Sequence, residues 1–212
     1  MVRTSISRHP IALEALGRLR GPESSGEMFR GTLRRYTQIL TTEASCDLEV
    51  VEQELHSATG HPAIVHHVCE AVTLIPILRA GLGMLDGALD ILPQGAIGFV
   101  GLARDDETYL PEQYYCNLPQ GRGGVCFLLD PMIATGGSVS AAIDLVEEQV
   151  RPSRVIVISL IASPEGIASL EMADHPGRNL VIHTGSVDRE LDINGYIVPG
   201  LGDAGDRICG AS

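Results

Sequence analysis

The stretch of sequence that decides the fold is Leu128-Leu129-Asp130-Pro131-Met132-Ile133-Ala134-Thr135-Gly136-Gly137-Ser138. An uninterrupted apolar run leads into Asp130, which indicates a buried strand. After Ser138, apolar residues recur at the spacing of one helical face, namely at Val139, Ala142, Ile143 and Val146. A strand, a turn of small residues and a helix in this order predict one unit of a parallel α/β sheet.

The turn in this stretch has the chemistry of a phosphate site. Gly136 and Gly137 allow close approach of backbone N–H groups, and the start of a helix adds partial positive charge. The hydroxyls of Thr135 and Ser138 can donate to phosphate oxygens, and Asp130 can accept hydrogen bonds from sugar hydroxyls. The alternative is an ordinary turn in which Ser138 only caps the helix. The strand-end carboxylate favours a ribose-phosphate ligand.

Outward from this stretch, buried strands alternate with helices. Candidate strands are residues 72–77, 97–102, 125–129, 155–161 and 180–183, and candidate helices are residues 82–92, 138–150 and 164–172. Continuous apolar runs predict strands that are covered on both faces. The fold class is therefore α/β, with a parallel sheet core flanked by helices. Ligands in such folds bind at the carboxyl ends of the strands.

The first 70 residues have a different pattern. Two helices are predicted, one from Pro10 and one from about Ser25, and residues 48–56 and 63–68 flank a turn and predict a β-hairpin arm. We expect a single domain with three segments: N-terminal helices and hairpin over 1–70, an α/β core over 71–187, and a loop region over 188–212.

Composition and charge exclude several function classes. All 15 basic residues are Arg, so a Walker lysine or a Schiff-base lysine is excluded. The net charge of −12 disfavours binding to nucleic acid and to anionic membranes. Five cysteines without a C-x-x-C pair indicate reduced thiols and a cytoplasmic location. The spacing of His56, His61, His66 and His67 does not match a closed zinc site.

Residues 130–138 resemble the phosphoribosyl-diphosphate motif of the phosphoribosyltransferases, in the form that the uracil phosphoribosyltransferase family has. Three further segments resemble that family in order: residues 75–84 (Ile-Pro-Ile-Leu-Arg-Ala-Gly-Leu-Gly-Met), 104–108 (Arg-Asp-Asp-Glu-Thr) and 195–207 (Gly-Tyr-Ile-Val-Pro-Gly-Leu-Gly-Asp-Ala-Gly-Asp-Arg). The resemblance implies a phosphoribosyltransferase-type core and transfer of a phosphoribosyl group from phosphoribosyl diphosphate (PRPP) to N1 of uracil, which gives UMP and diphosphate. It also implies Mg²⁺, a homodimer or higher homo-oligomer, and GTP as a possible effector.

The resemblance also implies roles for particular residues. Arg79, Arg104, Asp130 and Asp203 are the implied catalytic residues. The implied PRPP contacts are these four together with Pro131, Met132, Ile133, Ala134, Thr135, Gly136, Gly137 and Ser138. The implied uracil contacts are Ile197, Gly202, Asp203 and Ala204. Because Leu129 stands where many phosphoribosyltransferases have a second acidic residue, we expect no dedicated protein metal site, and Mg²⁺ to be carried mainly by PRPP.

Residues 104–124 form the longest stretch without clear periodicity, and we interpret it as a lid that carries Arg104 over the diphosphate. The alternative is a solvated loop in which Arg104 pairs with Asp105 or Asp106. Two other functions remain open: a catalytically silent nucleotide sensor of the same fold, and a phosphoribosyltransferase for another base.

Overall fold

The computed structural model describes residues 2–22, 26–104, 111–121, 123–173 and 179–210, and of Arg104 only the backbone. The strands are β1 (Val2–Ile6), β2 (Val50–His56), β3 (Pro62–Val68), β4 (Val72–Leu78), β5 (Ala96–Ile97), β6 (Phe99–Arg104), β7 (Pro111–Asn117), β8 (Val125–Leu129), β9 (Met132–Ile133), β10 (Arg154–Ser159), β11 (Ile161–Ala162), β12 (Leu180–Thr184), β13 (Glu190–Leu191) and β14 (Ile197–Val198). The helices are α1 (Pro10–Arg20), α2 (Gly26–Ala44), α3 (Leu82–Ile91), α4 (Gly137–Gln149), α5 (Pro164–Met172) and α6 (Ala204–Cys209).

A mostly parallel sheet forms the centre of the molecule. Its strand order is β1-β12-β10-β8-β4-β6-β7, and β5 pairs with β4. Every neighbouring pair is parallel except β6 and β7, which are antiparallel. The predicted α/β class with a parallel sheet core is confirmed.

The sheet is buried on both faces because successive side chains point to opposite sides. In β8, Val125, Phe127 and Leu129 pack in a cluster with residues of α1, α2 and α3, while Cys126 and Leu128 pack in a second cluster with residues of α4 and α5. All five residues of β8 are buried. This two-sided burial explains the continuous apolar runs in the sequence.

Two strands of the sheet were not predicted from the sequence. β1 joins the sheet beside β12, and its sequence Val-Arg-Thr-Ser-Ile has no continuous apolar run. β7 lies at the opposite edge within the predicted lid and reads Pro-Glu-Gln-Tyr-Tyr-Cys-Asn. Edge strands carry polar residues because one side of the strand faces solvent, so an apolar pattern cannot reveal them. The interpretation of all of residues 104–124 as a loop was wrong for this strand, and residues 105–110 of the predicted lid lie outside the described residues.

Two predicted strands are each divided. The predicted strand 97–102 divides at Gly98, whose N–H donates to Leu74 O, so β5 and β6 pair with different parts of β4. The predicted strand 155–161 divides at Leu160, where the chain leaves the central sheet and β11 pairs with β9 instead. The second division matters for function because β9 lies within the predicted phosphate turn.

The hairpin arm is confirmed as β2 and β3, which pair in antiparallel register from Val50 opposite Val68 to His56 opposite Pro62. No residue of either strand is fully buried. None of the helices in the described ranges combines the length and apolar character needed to cross a bilayer.

The contact between α2 and α3 gives a stability prediction. A Cβ atom at Gly87 would lie 2.5 Å from Arg34 O and 2.9 Å from Thr37 Cβ. Gly87→Ala should therefore force α2 and α3 apart and lower the free energy of unfolding by about 1–3 kcal/mol. Gly17→Ala is the matched control, because a Cβ at that helical glycine meets nothing within 4 Å.

The control should raise the free energy of unfolding by roughly 0.5–1 kcal/mol through helix propensity. Urea denaturation followed by circular dichroism measures both changes. A Gly87→Ala protein at least as stable as the wild type would show that the two helices separate without cost.

Candidate active site

The residues that the sequence singled out lie at the carboxyl ends of neighbouring parallel strands. Asp130 directly follows β8, and Arg79 directly follows β4. These strands are paired, with Pro76 opposite Leu129. Asp130 is half-buried and Arg79 is exposed. The sheet therefore brings one carboxylate and one guanidinium group to the same edge.

Gly81 allows the chain after Arg79 to pack against this edge. A Cβ at Gly81 would overlap Leu129 O, the carbonyl just before Asp130, and would also lie 2.7 Å from Ile77 O. Only glycine leaves room for the two strand ends to approach this closely.

The turn after Asp130 is held by hydrogen bonds from the next segment of the sheet. Pro131 O accepts from Leu160 N at 3.0 Å, and β9 pairs in parallel with β11. Ser163 N donates to Ile133 O at 2.9 Å, and Ser163 Oγ donates to Ala134 O at 2.5 Å. These hydrogen bonds hold the turn against the connection between β10 and α5.

Gly136 ends the turn and begins α4. It has a φ of +81°, in the left-handed region, and a Cβ there would lie 2.8 Å from Gly166 O. Gly136 is the N-cap residue, and Ser138 is the second residue of the helix. The alternative in which Ser138 caps the helix was therefore wrong. Because glycine has no side chain, it provides no side-chain cap for the first N–H groups of α4.

This turn encloses a cavity of about 160 Å³, lined by Asp130 and residues 132–139. The side chains of Thr135 and Ser138 are exposed. Backbone N–H groups at a helix N-terminus and two hydroxyls are donors suited to an anion. The predicted phosphate residues are therefore brought together in one concave site.

Asp130 lies at the sheet end of this cavity. Burial raises the pKa of Asp130 to about 7, partly offset by a hydrogen bond from the backbone of Met132. A carboxyl in such surroundings gains from any ligand that donates hydrogen bonds to its charged form. Sugar hydroxyls are ligands of that kind.

A second cavity of about 330 Å³ adjoins the first. It is lined by Met132, Ala134, Asp192, Gly195, Tyr196, Ile197, Val198, Pro199, Gly200, Leu201 and Gly202. Met132 and Ala134 line both cavities, so the two cavities are neighbours at this turn. A ligand with a phosphate at one end and a flat base at the other matches this arrangement.

The other predicted residues are placed less uniformly. Ile197 and Gly202 line the second cavity. Asp203 is exposed and caps α6, with its Oδ1 accepting from Asp206 N at 2.9 Å. Ala204 is fully buried at the start of α6 and lines neither of these two cavities. Arg104 ends β6, the strand beside β4, and its side chain lies outside the described residues.

Asp192 is a cavity residue that the sequence reasoning missed. Its Oδ1 accepts hydrogen bonds at 2.8 Å from Asn194 N and Tyr196 N, which shapes the turn between β13 and β14. The run Asp-Ile-Asn-Gly at 192–195 is a turn signal that could have revealed it.

In the described part of the chain, no group of three or more His, Cys, Asp or Glu side chains is arranged to hold a metal ion. His66 instead lies 3.5 Å from Glu52 across the hairpin. Oxygen ligands for a hard cation are available from Asp130 and Asp203.

Sequence comparison relates the chain to proteins of known name. A family model described as uracil phosphoribosyltransferase matches residues 6–211. A uracil phosphoribosyltransferase of Malacoplasma penetrans is 41% identical over 208 residues, which cover 98% of this chain and 98% of that protein. A uracil phosphoribosyltransferase of a Roseiflexus species is 42% identical, with 99% of each chain covered.

Comparison with solved structures finds proteins of similar fold. A solved structure of the AQ2163 protein from Aquifex aeolicus has a TM-score of 0.91 and 35% sequence identity, with 99% of each chain covered. A hypoxanthine phosphoribosyltransferase from Staphylococcus aureus has a TM-score of 0.51 at 8% identity, covering 81% of this chain and 85% of the other. The second likeness concerns the fold alone.

The raised pKa of Asp130 gives a pH-dependent prediction. The folded state holds this proton more tightly than the unfolded state, whose pKa is about 4. The cost of the buried carboxylate is therefore absent below about pH 4, grows as the pH rises, and is complete above about pH 7. Asp130→Asn removes this cost and should raise the Tm of the ligand-free protein by about 2–6 °C at pH 8.

The rise should be smaller at pH 5, and thermal unfolding of both proteins at the two pH values measures it. An equal change at pH 5 and pH 8, or a lower Tm at pH 8, would contradict the assigned burial of the charge.

Proposed function

Since this chain belongs to the uracil phosphoribosyltransferase family, we propose that it transfers the phosphoribosyl group of PRPP to uracil in the two neighbouring cavities. The bond between ribose C1 and the diphosphate oxygen breaks, a bond between C1 and uracil N1 forms, and the N1 proton is lost. The products are UMP and diphosphate, so the enzyme is a pentosyltransferase of pyrimidine salvage. The observation that carries this assignment is that Met132 and Ala134 line both cavities.

The 5′-phosphate is bound at the smaller cavity. Backbone N–H groups of residues 135–138 and the hydroxyls of Thr135 and Ser138 donate to its oxygens, and the N-terminus of α4 stabilises its charge. Pro131, Met132, Ile133 and Ala134 lead from the phosphate to the ribose. Asp130 accepts hydrogen bonds from the ribose hydroxyls, which holds C1 between the two cavities.

The diphosphate leaves from the edge where Arg79 follows β4 and Arg104 ends β6. Charge accumulates on the leaving group as the C1–O bond breaks, and guanidinium groups placed there stabilise the transition state. Arg104 comes from the strand next to β4, so its backbone position suits this role.

The carboxylates of Asp130 and Asp203 fit Mg²⁺ that is held mostly by substrate oxygens. Asp130 and Asp203 are hard oxygen donors, and Mg²⁺ in phosphate sites typically takes one or two carboxylates together with phosphates and water. When bound, Mg²⁺ neutralises part of the charge on the diphosphate. Asp203 then contacts the ribose or diphosphate end, directly or through the metal and water.

Uracil is bound in the larger cavity. Uracil has one N3–H donor between two carbonyl acceptors, and the backbone of residues 197–204 can supply the complementary groups, with Ile197, Gly202 and Ala204 as the contacts. Cytosine presents the reverse pattern at position 4 and would leave buried polar groups unpaired. No general base is assigned, because uracil N1–H is itself fairly acidic.

The direct test is incubation with PRPP, Mg²⁺ and one base at a time, with chromatography of the nucleotide products. UMP from uracil is expected, with little product from cytosine, hypoxanthine or adenine. A folded protein that makes no UMP would be a silent nucleotide sensor, and a different nucleotide as the main product would reassign the base. The same assay with and without GTP tests whether GTP is an effector.

Asp203 gives a prediction at the site. Asp203→Asn should lower kcat/KM about 100-fold or more, because an amide cannot replace the negative charge near the ribose and diphosphate. The fold should persist, since asparagine caps a helix as well as aspartate does. Asp206→Asn is the matched control, because it removes an exposed carboxylate from the same helix.

The control should change kcat/KM by no more than about threefold, since Asp206 is not among the residues assigned to PRPP, uracil or Mg²⁺, and the backbone N–H that it donates to Asp203 is kept. Steady-state kinetics with both substrates measures these effects. Near wild-type activity of Asp203→Asn would remove Asp203 from the catalytic residues.

The hairpin arm supports assembly into a homodimer or larger homo-oligomer. Val50, Val51, Leu55, Ile64 and Val68 are 39–56% exposed on its two strands. An isolated two-stranded hairpin is at best marginally stable in water, so a second copy of the chain is the occupant that would cover these side chains.

The double variant Leu55→Asp, Ile64→Asp places one charge on each face of the hairpin and should shift the protein to a smaller species. Met172→Asp is the control, because Met172 is 84% exposed at the end of α5 and lies away from the hairpin. Light scattering after size-exclusion chromatography measures the mass. An unchanged mass of the double variant would exclude the hairpin as the main interface.

A cytoplasmic location fits the chemistry of the chain. Cys46, Cys69, Cys116, Cys126 and Cys209 are all free thiols in the structure. Reduced cysteines are typical of the cytoplasm.

A further inference from the structure

Residues 199–202, called the wall below, line two cavities. One is the cavity of about 330 Å³ that is assigned to uracil. The other is a cavity of about 500 Å³, lined by Arg20, Pro22, Gly26, Asp206, Arg207 and Gly210 together with the same four wall residues. Leu201 is the wall residue with a buried apolar side chain, at 2% exposure. Packing alone therefore holds only part of this wall.

Hydrogen bonds hold two further groups of the wall: Arg207 Nη1 donates to Leu201 O at 2.6 Å, and one ion pair binds Gly200. Gly200 N donates to Asp188 Oδ2 at 2.9 Å, and Arg20 Nη1 donates to Gly200 O at 2.9 Å. The same guanidinium is bidentate to Asp188, with distances of 2.8 Å from Nη1 to Oδ2 and 2.5 Å from Nη2 to Oδ1. Both backbone polar groups of Gly200 are thus bound by one closed network of charge-assisted hydrogen bonds.

The ion pair is shielded from solvent. The side chain of Asp188 is 2% exposed and that of Arg20 is 24% exposed. Burial by itself would raise the pKa of Asp188, but hydrogen bonds from Arg20, Gly200 and Ser186 outweigh it and hold the pKa below its ordinary value. The carboxylate is therefore charged at neutral pH, and removing either partner would leave a poorly solvated charge.

Asp188 also connects the wall to the phosphate turn. Its N–H donates to Ala162 O at 2.8 Å. Ala162 belongs to β11 and pairs with Ile133 of β9, inside the turn that forms the phosphate cavity. The wall and the phosphate cavity are therefore joined through two successive backbone contacts.

We infer that Arg20 and Asp188 are a positioning pair that fixes the wall of the uracil site relative to the phosphate site and so determines uracil affinity and base selectivity. The pair lies behind the wall, and neither residue lines the cavity that is assigned to uracil. The inference rests on the proposed placement of uracil beside residues 197–202. A displacement of about 1 Å between the base and C1 is enough to cost about 100-fold in rate.

The first test variant is Asp188→Asn, which keeps the size of the side chain and removes its charge. The KM for uracil should rise about 10–100-fold, while the KM for PRPP changes less than about threefold, and the preference for uracil over cytosine should fall. A purely structural role would lower the fraction of active enzyme, which reduces kcat and leaves both KM values unchanged.

Arg20→Lys is the second variant, for use if Asp188→Asn does not fold. Lysine keeps the positive charge but cannot contact Gly200 O and both carboxylate oxygens in the fork geometry of arginine. The same selective rise in the KM for uracil is expected. In Arg20→Ala, millimolar guanidinium should partly restore the KM for uracil by replacing the lost group.

The matched control is Asp90→Asn. Arg34 binds Asp90 in the same bidentate manner, at 2.7 and 2.8 Å, but this pair joins α2 to α3 on the surface. Both KM values should remain within about twofold of the wild type.

Ile197→Ala separates failure of the inference from failure of the proposed site, because Ile197 lines the uracil cavity itself. A raised KM for uracil in Ile197→Ala with unchanged values in folded Asp188→Asn and Arg20→Lys would overturn the positioning role alone. Unchanged values in all three would overturn the placement of uracil as well, and a wild-type protein that makes no UMP would overturn the function.

Discussion

The structure depends on one constraint. The chain passes from β8 into α4 through a turn in which Gly136 has room for its backbone but not for a side chain. A Cβ atom at Gly136 would lie 2.8 Å from Gly166 O, and a Cβ atom at Gly81 would overlap Leu129 O. Hydrogen bonds from the β10–α5 connection fix the carbonyls of Pro131, Ile133 and Ala134. Because the N-cap residue Gly136 provides no side-chain cap, the N–H groups at the start of α4 can bind a ligand. A phosphate site is thereby built without any lysine.

Two carboxylates, the half-buried Asp130 and the buried Asp188, have pKa values shifted in opposite directions. Burial raises the pKa of Asp130 to about 7, whereas Arg20 and the N–H of Gly200 hold the pKa of Asp188 below its ordinary value. Asp130 is the less satisfied group and lies at the ligand cavity, so it gains from sugar hydroxyls. Asp188 accepts hydrogen bonds from Arg20, Ser186 and Gly200 and holds the wall beside the base. The same residue type therefore serves the ligand site at Asp130 and the protein frame at Asp188, with the two pKa values shifted in opposite directions.

The elements that depend on residues close together in the chain could be predicted from the sequence. The strand, turn and helix from 125 to 149 follow from apolar runs and glycines, and Asp130 and residues 132–138, though not Pro131, line one cavity. The edge strands β1 and β7 escaped because polar edges have no apolar signature. Asp188 escaped because its partners Arg20 and Gly200 are 168 and 12 residues away. Contacts at such separation depend on the fold, and no spacing along the chain reveals them.

The central claim is that phosphate and base occupy two neighbouring cavities that are both lined by Met132 and Ala134. A crystal structure of the protein with UMP tests it most directly. The account predicts the 5′-phosphate against residues 134–138, the ribose hydroxyls at Asp130, and the uracil ring beside Ile197 and residues 199–202. A phosphate bound instead in the cavity of Arg20 and Arg207, or a uracil ring outside the cavity of residues 195–202, would contradict it.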